Sequence, residues 1–363
     1  MEKKFQKAGR VVHIRKLKSN ILFFLLSDGV TYSLLLENSL RKDFLRLVRK
    51  YDYLYIKGKK ETGSDILVED FKVISLCISS VNLSNPKYLH ESMISNTRKQ
   101  EIIKKSSDIF LLISRILRER RYIEIKSSTL FDSFYSGSAR PFITYSNDKH
   151  KDLYLRFSAE PLLKELASGG FERVYELGNI YRNETESKKK GSEFRALEYC
   201  STNETLESFS KVLIEIITSA LDIKLFKEIE FEKLVKGEDL KKEYDFFKET
   251  IVPNIIEPTF VKGLPSGLSP FVAEDERENL YTKRRLLIIN GMTIAEVYQN
   301  ERDPFKQIDF LKDQFKEERE YKVDYSGYIH SQLIGSPIIN ICFLSVDRLI
   351  SLITEQDDAR NIL

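Results

Sequence analysis

Residues 8 to 78 constrain this chain most. Five short runs rich in β-branched and aromatic residues follow one another there: Gly9–Ile14, Ile21–Leu26, Thr31–Leu36, Tyr53–Lys57 and Asp65–Ser75. Turn residues separate them, as at Ser27-Asp28-Gly29 and Thr62-Gly63-Ser64, and between the third and fourth runs Leu40 to Lys50 has helical spacing. Strands this short with a helix after the third predict a five-stranded OB barrel. Such barrels commonly hold single-stranded nucleic acid through basic and aromatic side chains, so Phe23, Phe24 and Tyr32 are candidates to stack on bases. The alternative for each is a place in the core, where aromatics of short strands more often lie.

The charge distribution points the same way. The chain has 363 residues with 58 Lys+Arg and 55 Asp+Glu, a net charge of +3. Residues 1 to 60 hold 15 of the basic and only 5 of the acidic residues, a local excess of +10, so the remainder sums to −7. A basic module on a mildly acidic body suggests contact with nucleic-acid phosphate. With 42% apolar residues the chain is neither a disordered tail nor a fibre. Three separated cysteines, Cys77, Cys200 and Cys342, form no CxxC pair, which argues against a disulfide framework or zinc and for a reducing, cytoplasmic location. The apolar run Ile21–Leu26 is too short for a signal peptide or a bilayer span, so no membrane is expected.

A polar connector, residues 79 to 98 with Asn85-Pro86, leads to an amphipathic helix from Lys99 to Arg120 whose apolar face includes Ile102, Ile109, Ile113, Ile116 and Leu117. Beyond it strands and helices alternate. Helices are expected at Ala159–Ala167, Leu206–Phe226 and from Val346, and strands at Arg173–Gly178, Phe194–Cys200, Leu286–Ile289, Thr293–Tyr298 and Ile338–Phe343. Residues 99 to 363 thus read as one α+β domain.

Within it lies the most informative stretch: Arg140-Pro141-Phe142, Asp152 to Arg156, Glu160, Gly170-Phe171-Glu172-Arg173-Val174-Tyr175-Glu176-Leu177-Gly178, Tyr181-Arg182-Asn183-Glu184, Glu193-Phe194 and Leu197-Glu198. It resembles the second signature motif of class II aminoacyl-tRNA synthetases, and specifically of lysyl-tRNA synthetases. The later landmarks Asn290-Gly291, Asp303-Pro304 and Val346-Asp347-Arg348-Leu349 extend the resemblance over nearly the whole chain. It implies an antiparallel sheet with flanking helices, an N-terminal anticodon-binding barrel, a homodimer, tRNA as partner and ATP as cofactor. The implied chemistry is attack of an amino-acid carboxylate on the α-phosphorus of ATP, in which the protein positions reactants and supplies cationic donors. Arg182 would grip the α-phosphate and Arg348 the γ-phosphate, with Glu184 and Glu193 flanking the nucleotide and Phe194 stacked on adenine. Glu160 would receive the amino acid's α-ammonium, and Glu198 and the positions Cys200 and Asn300 would line the amino-acid site with it.

The departures from that family fall on chemistry. Glycines before the third-motif arginine, which let backbone approach ATP, are replaced by Ile341, Phe343 and Ser345, and Phe343 could fill the adenine pocket. The two carboxylates that hold Mg2+ fall on Leu286 and Thr293, so the magnesium the family uses is not carried over; Glu296 compensates only if the strand register shifts. The tyrosine and carboxylate that read a lysine side chain align with Cys200 and Asn300, leaving no buried counter-charge for lysine. Lys188-Lys189-Lys190 replaces the loop residues that touch ATP, and the dimer-shaping proline aligns with Ser128. Barrel residues that would read uridines are replaced near Tyr32 and Ser64. Three readings stay open: ATP-dependent activation of an amino acid with possible transfer to tRNA, a non-catalytic RNA- or protein-binding scaffold, and a ligase for a non-tRNA acceptor.

Overall fold

A computed structural model describes residues 3–60, 65–79, 88–134, 140–188, 191–237, 239–275, 280–314 and 323–356. Asn85-Pro86, Gly137, Ser64 and Lys189-Lys190 lie outside them. The chain divides into two compact units, residues 1–104 and 105–363.

The first unit contains β1 (Lys3–Lys16), β2 (Ile21–Ser27), β3 (Val30–Leu36), α1 (Asn38–Leu47), β4 (Tyr53–Lys60), β5 (Ile66–Ser75) and α2 (Leu89–Ser95). Its five strands close into a barrel in the order β1-β2-β3-β5-β4. Period-two alternation sends Ile21, Phe23 and Leu25 inward, where they are fully buried with Leu34, Leu36, Leu54, Ile56 and Phe44 of α1. The same alternation separates the three aromatic candidates. Phe23 packs on Phe44 with ring centroids 4.7 Å apart and has no exposed surface to offer a base. Phe24 stands on the outer face opposite His13, its ring 5.9 Å away. Tyr32 pairs with inward-facing Leu25 and leans edge-on against Phe5 at 5.2 Å, so it does not share Phe24's face.

Helix α3 (Thr97–Glu119) carries the division between the units. The second unit continues with β6 (Ile123–Glu124), β7 (Leu130–Phe131), β8 (Ile143–Ser146), β9 (Lys151–Leu155), α4 (Glu160–Ser168), β10 (Arg173–Tyr181), β11 (Glu193–Thr202) and α5 (Leu206–Leu221). Then follow β12 (Lys227–Glu230), α6 (Leu240–Phe246), β13 (Thr259–Lys262), β14 (Arg284–Ile289), β15 (Met292–Gln299), α7 (Pro304–Gln314), α8 (Ser326–Leu333), β16 (Ile339–Ser345) and α9 (Val346–Ile353). The α5 helix ends five residues before the expected Phe226, because Asp222 turns into the left-handed region at φ 53° and stops it.

Eight strands form one sheet in the order β12-β13-β14-β15-β16-β11-β10-β6, antiparallel except at its two edge pairs. The β14–β15 hairpin turns on Asn290-Gly291, both at positive φ (50° and 68°), as a two-residue hairpin requires. One face of the sheet is apolar core. Tyr175, Leu197, Tyr199, Cys342, Leu344 and Val297 are fully buried there, and Tyr199 meets Phe209 of α5 at 4.8 Å. The other face is different in kind: α4 packs Ala159, Leu163 and Ala167 on Val174, Cys200, Tyr298 and Ile341, and the remainder carries charge.

Candidate functional site

Strand register assembles a row across the charged face. Glu176 of β10 lies opposite Glu198 of β11, which lies opposite Phe343 of β16, then Glu296 of β15 and Leu286 of β14. Directly opposite residues share a face, so four acidic or aromatic side chains from distant parts of the chain meet because each sits at the matching phase of its strand. Ile180 opposes Phe194, and Arg182 continues that phase just past β10, its amide donating to Ser192 O at 2.8 Å.

Arg182 is held by rings rather than by carboxylates. Its guanidinium carbon lies 4.2 Å from the Phe157 centroid, 5.3 Å from Phe194 and 5.7 Å from Phe343. Its Nε is buried without a hydrogen-bond partner among the described residues. Burial disfavours its charge, while Glu198, Glu296 and Glu160 favour it from a distance. A desolvated guanidinium with an unused donor is a place for an anion.

Arg348 donates to the carbonyl of Thr293 at 2.6 Å, and burial together with the nearby Arg182 charge disfavours its own cation. Phe194 and Phe343 touch edge to face, centroids 6.4 Å apart and planes at 74°. Glu184 lies next to Arg182 and donates its amide to the Arg182 carbonyl. Glu193 belongs to the opposite face: it accepts from Asn179 Nδ2 at 2.6 Å, beside the Arg195–Asp347 pair. Adjacent strand residues face opposite sides of the sheet, so Glu193 lies away from the side that Phe194 and Arg182 share.

The acidic residues are committed to the protein. Glu198 is 3% exposed and accepts from Ser158 Oγ and, at 2.5 Å, from the Ala159 amide. Burial pushes its carboxyl up to about 7 against those two hydrogen bonds. Its folded form therefore binds a proton that the unfolded chain releases near 4.5, and stability falls as pH rises from there toward 7. Glu198→Gln removes this dependence. Compared with wild type by urea melts at pH 5 and pH 8, the variant should gain up to about 3 kcal/mol in relative stability at the higher pH. An equal difference at both values would show that Glu198 is ionised throughout.

Magnesium does not fit the residues present. Leu286 and Thr293 supply no carboxylate, and Glu296 is bound to Arg284 Nε at 2.7 Å. Among the described residues no group of three or more His, Cys, Asp or Glu could hold a metal.

On the amino-acid side the structure brings Glu160, Cys200 and Asn300 to one neighbourhood under α4. Tyr298 Oη donates to Glu160, Cys200 Sγ lies 3.5 Å from Leu163 O, and burial raises that thiol to about 12. Asn300 is fully buried; its Oδ1 accepts from Tyr328 Oη at 3.3 Å and its Nδ2 donates to Glu301 O at 2.8 Å.

Two residues without a role in the sequence reading are structurally prominent. Arg156 is 7% exposed and pairs with buried Glu176, while also donating to Ser127 Oγ at 2.8 Å and Asn179 O at 3.0 Å. Gly178 makes room for it, since a Cβ there would sit 2.7 Å from Arg156 Nη2. Lys164 is 1% exposed and pairs with Glu160. A Glu–Lys pair four apart on a helix ordinarily signals an exposed face, so the sequence pattern gives no hint of its burial.

The model of tRNA synthetases class II (D, K and N) matches residues 84–363. The chain belongs to the class II tRNA synthetases. It is 27% identical to the lysine–tRNA ligase of Mycoplasma mobile over 98% of this chain and 86% of that one. The lysine–tRNA ligase of Buchnera aphidicola gives 27% identity over 98% and 85% of the two chains. That of Mycoplasmopsis synoviae gives 28% over 76% of this chain and 66% of its own length. The Mycoplasma mobile comparison runs over 423 positions against the 363 residues of this chain, so the relative carries segments that this class II chain lacks. No described helix is long and apolar enough to cross a membrane.

Proposed function

We propose that this class II synthetase-type chain is a lysyl-tRNA synthetase-like binding protein, which holds RNA through an OB-type barrel and does not form an aminoacyl adenylate with lysine. The observation that carries this reading is the Phe194–Phe343 contact: a purine cannot stack on Phe194 in the space that the Phe343 ring already takes. Leu286, Thr293 and the Glu296–Arg284 pair add to it, since charge on the phosphates would lack its metal. Leu111 on α3, 70% exposed, is apolar surface that a homodimer interface would cover.

For RNA, the support is the basic excess and the outer face of the β1–β2 ladder. His13 and Arg15 of β1 lie beside Phe24 and Leu22 of β2, which places cation and aromatic together. With phosphate-binding charge kept and base-reading groups replaced, the expected binding is general rather than sequence-reading.

The test is ATP–pyrophosphate exchange across a panel of amino acids, alongside fluorescence anisotropy with a tRNA mixture. No exchange is expected, with RNA binding that weakens steeply with salt. His13→Glu combined with Arg15→Glu, both on that face, should lower affinity about tenfold at low salt and flatten the salt slope by roughly 1. Exchange with lysine would sink the non-catalytic reading, and unchanged RNA affinity in the double variant would remove this barrel face from it.

A second reading, ATP-dependent activation of some other amino acid, is favoured by one observation. Arg182 keeps an unused buried donor at the position expected to grip an α-phosphate.

A further inference from the structure

The barrel carries a second outer face, on β1, β4 and β5, whose side chains are ordered as on a base-stacking platform. Strand β4 is the middle one of the three. Its Leu54 and Ile56 are fully buried, so Tyr53 and Tyr55, two apart and half-buried, point outward. Register brings a cation to each: Arg10 of β1 lies opposite Tyr53, and Lys72 of β5 lies opposite Tyr55. The Arg10 guanidinium is 5.7 Å from the Tyr53 centroid and is held there by donation to the Tyr51 carbonyl at 2.7 Å. Tyr55 Oη donates to Gln6 Oε1 at 3.1 Å, an exposed bond that fixes the tip of the ring. Ala8, opposite Tyr55 on β1, is too short to cover that ring.

Strand β1 joins this face to the one that carries His13 and Phe24. Its outward row runs Gln6, Ala8, Arg10 and then His13 and Arg15, because a register shift between Val11 and His13 inserts one residue and restores the phase. Rings two residues apart on a strand stand roughly 6.7 Å apart, too far to stack on each other and wide enough for one base on each. Ring faces flanked by cations suit a single strand with splayed bases, whereas the bases of a duplex are already stacked on one another. The nearby carboxylates are engaged elsewhere. Asp52 is buried and accepts from the Arg49 and Cys77 amides at 2.7 Å each, while Asp70 and Glu69 pair with Lys57 and Lys59 farther along β4. The positive charge left uncompensated on this face is therefore that of Arg10 and Lys72, beside the two rings.

We propose that the outer face of β1, β4 and β5 is a second contact for single-stranded RNA, in which Tyr53 and Tyr55 stack on two bases and Arg10 and Lys72 take flanking phosphates. The inference rests on RNA binding by the barrel and extends it from one face to two. Fluorescence anisotropy of the full chain with a labelled oligouridine of about 12 nucleotides tests it, a length within the roughly 4–16 that one OB fold covers. Tyr53→Leu combined with Tyr55→Leu should weaken binding about tenfold or more with the salt slope nearly unchanged. Arg10→Gln combined with Lys72→Gln should flatten that slope by roughly 1.4, two phosphate contacts at about 0.7 each. Photocross-linking of the wild type to the same oligomer carrying 5-bromouridine should place adducts on Tyr53 or Tyr55, a readout that holds even if a variant does not fold. Full affinity in the folded tyrosine variant, or adducts confined to the β1–β2 face, would overturn the proposal and leave RNA binding by the barrel standing. No binding by the wild type would overturn it together with the RNA-binding reading.

Discussion

Replacing Phe343 by alanine should make the protein respond to ATP where the wild type does not. In the native arrangement the Phe343 and Phe194 rings lie edge to face, with centroids 6.4 Å apart and planes at 74°, and the Arg182 guanidinium lies over both rings. A base inserted between two faces needs them nearly parallel and roughly 7 Å apart, two van der Waals gaps of about 3.5 Å. Removing the ring clears one side of Phe194 and leaves Arg182 in reach of phosphate. At ATP about a hundredfold above its dissociation constant the linkage is worth about 2.7 kcal/mol, or a rise in Tm of roughly 5–10 °C for a domain of this size. Phe343 is only half-buried, so the truncation itself should cost less than the 3–5 kcal/mol typical of a core phenylalanine. Differential scanning fluorimetry of both proteins with and without ATP is the measurement. An equal ATP-dependent shift in the wild type would show that Phe343 yields readily and that the base slot is not closed.

The second large effect concerns the Arg156–Glu176 pair. Both side chains are almost fully buried, and Arg156 additionally ties the Asn179 carbonyl and Ser127 hydroxyl to the sheet. Glu176→Gln leaves the guanidinium buried without its counter-charge, which typically costs about 3–5 kcal/mol. For a unit of this size that is a fall of roughly 6–20 °C in Tm. Replacing both partners, Arg156→Met with Glu176→Leu, should be much milder, because no unpaired charge remains. A single-variant loss under about 1 kcal/mol by urea melting would mean that the pair does not fasten β10 to the segment before it. The double variant separates the price of an orphaned charge from the net contribution of the bond.

These two predictions involve residues of different legibility. Phe343 was readable as an intruder because it stands where the lysyl-tRNA synthetase pattern places glycine, and the ring contact agrees with that expectation. Arg156 and Glu176 were both within the quoted motif, yet nothing in a linear pattern tells a buried ion pair from two solvated charges. The separation of 20 positions becomes a contact only when the loop after β9 is laid against β10. Lys164 was less legible still, since four-residue spacing to Glu160 describes an exposed helical pair equally well. Its burial depends on Phe271, Tyr298 and Tyr328, which come from three later segments.

Among the expected site residues, strand phase made the difference. Phe194 and Glu193 are neighbours in sequence and lie on opposite faces; Phe23 and Phe24 divide in the same way between barrel core and surface. A resemblance transfers residue identities, but the role of each follows from which face of the strand it occupies and what lies opposite.

The sequence by itself determined the barrel strands and, beyond the barrel, α3 to α5, β10, β11, β14 to β16 and α9, since hydrophobic periodicity, turn residues and short strand lengths are written in neighbouring positions; it did not show β12, β13 or α6 to α8. It also determined class II membership, through motifs whose order and spacing survive divergence. Tertiary structure decided the state of the site. Whether Arg182 is paired, whether Phe343 covers Phe194 and whether Lys164 is a surface charge or an internal cation all depend on strand register and on packing between distant segments. Those long-range contacts set burial, and burial sets what each charge can bind.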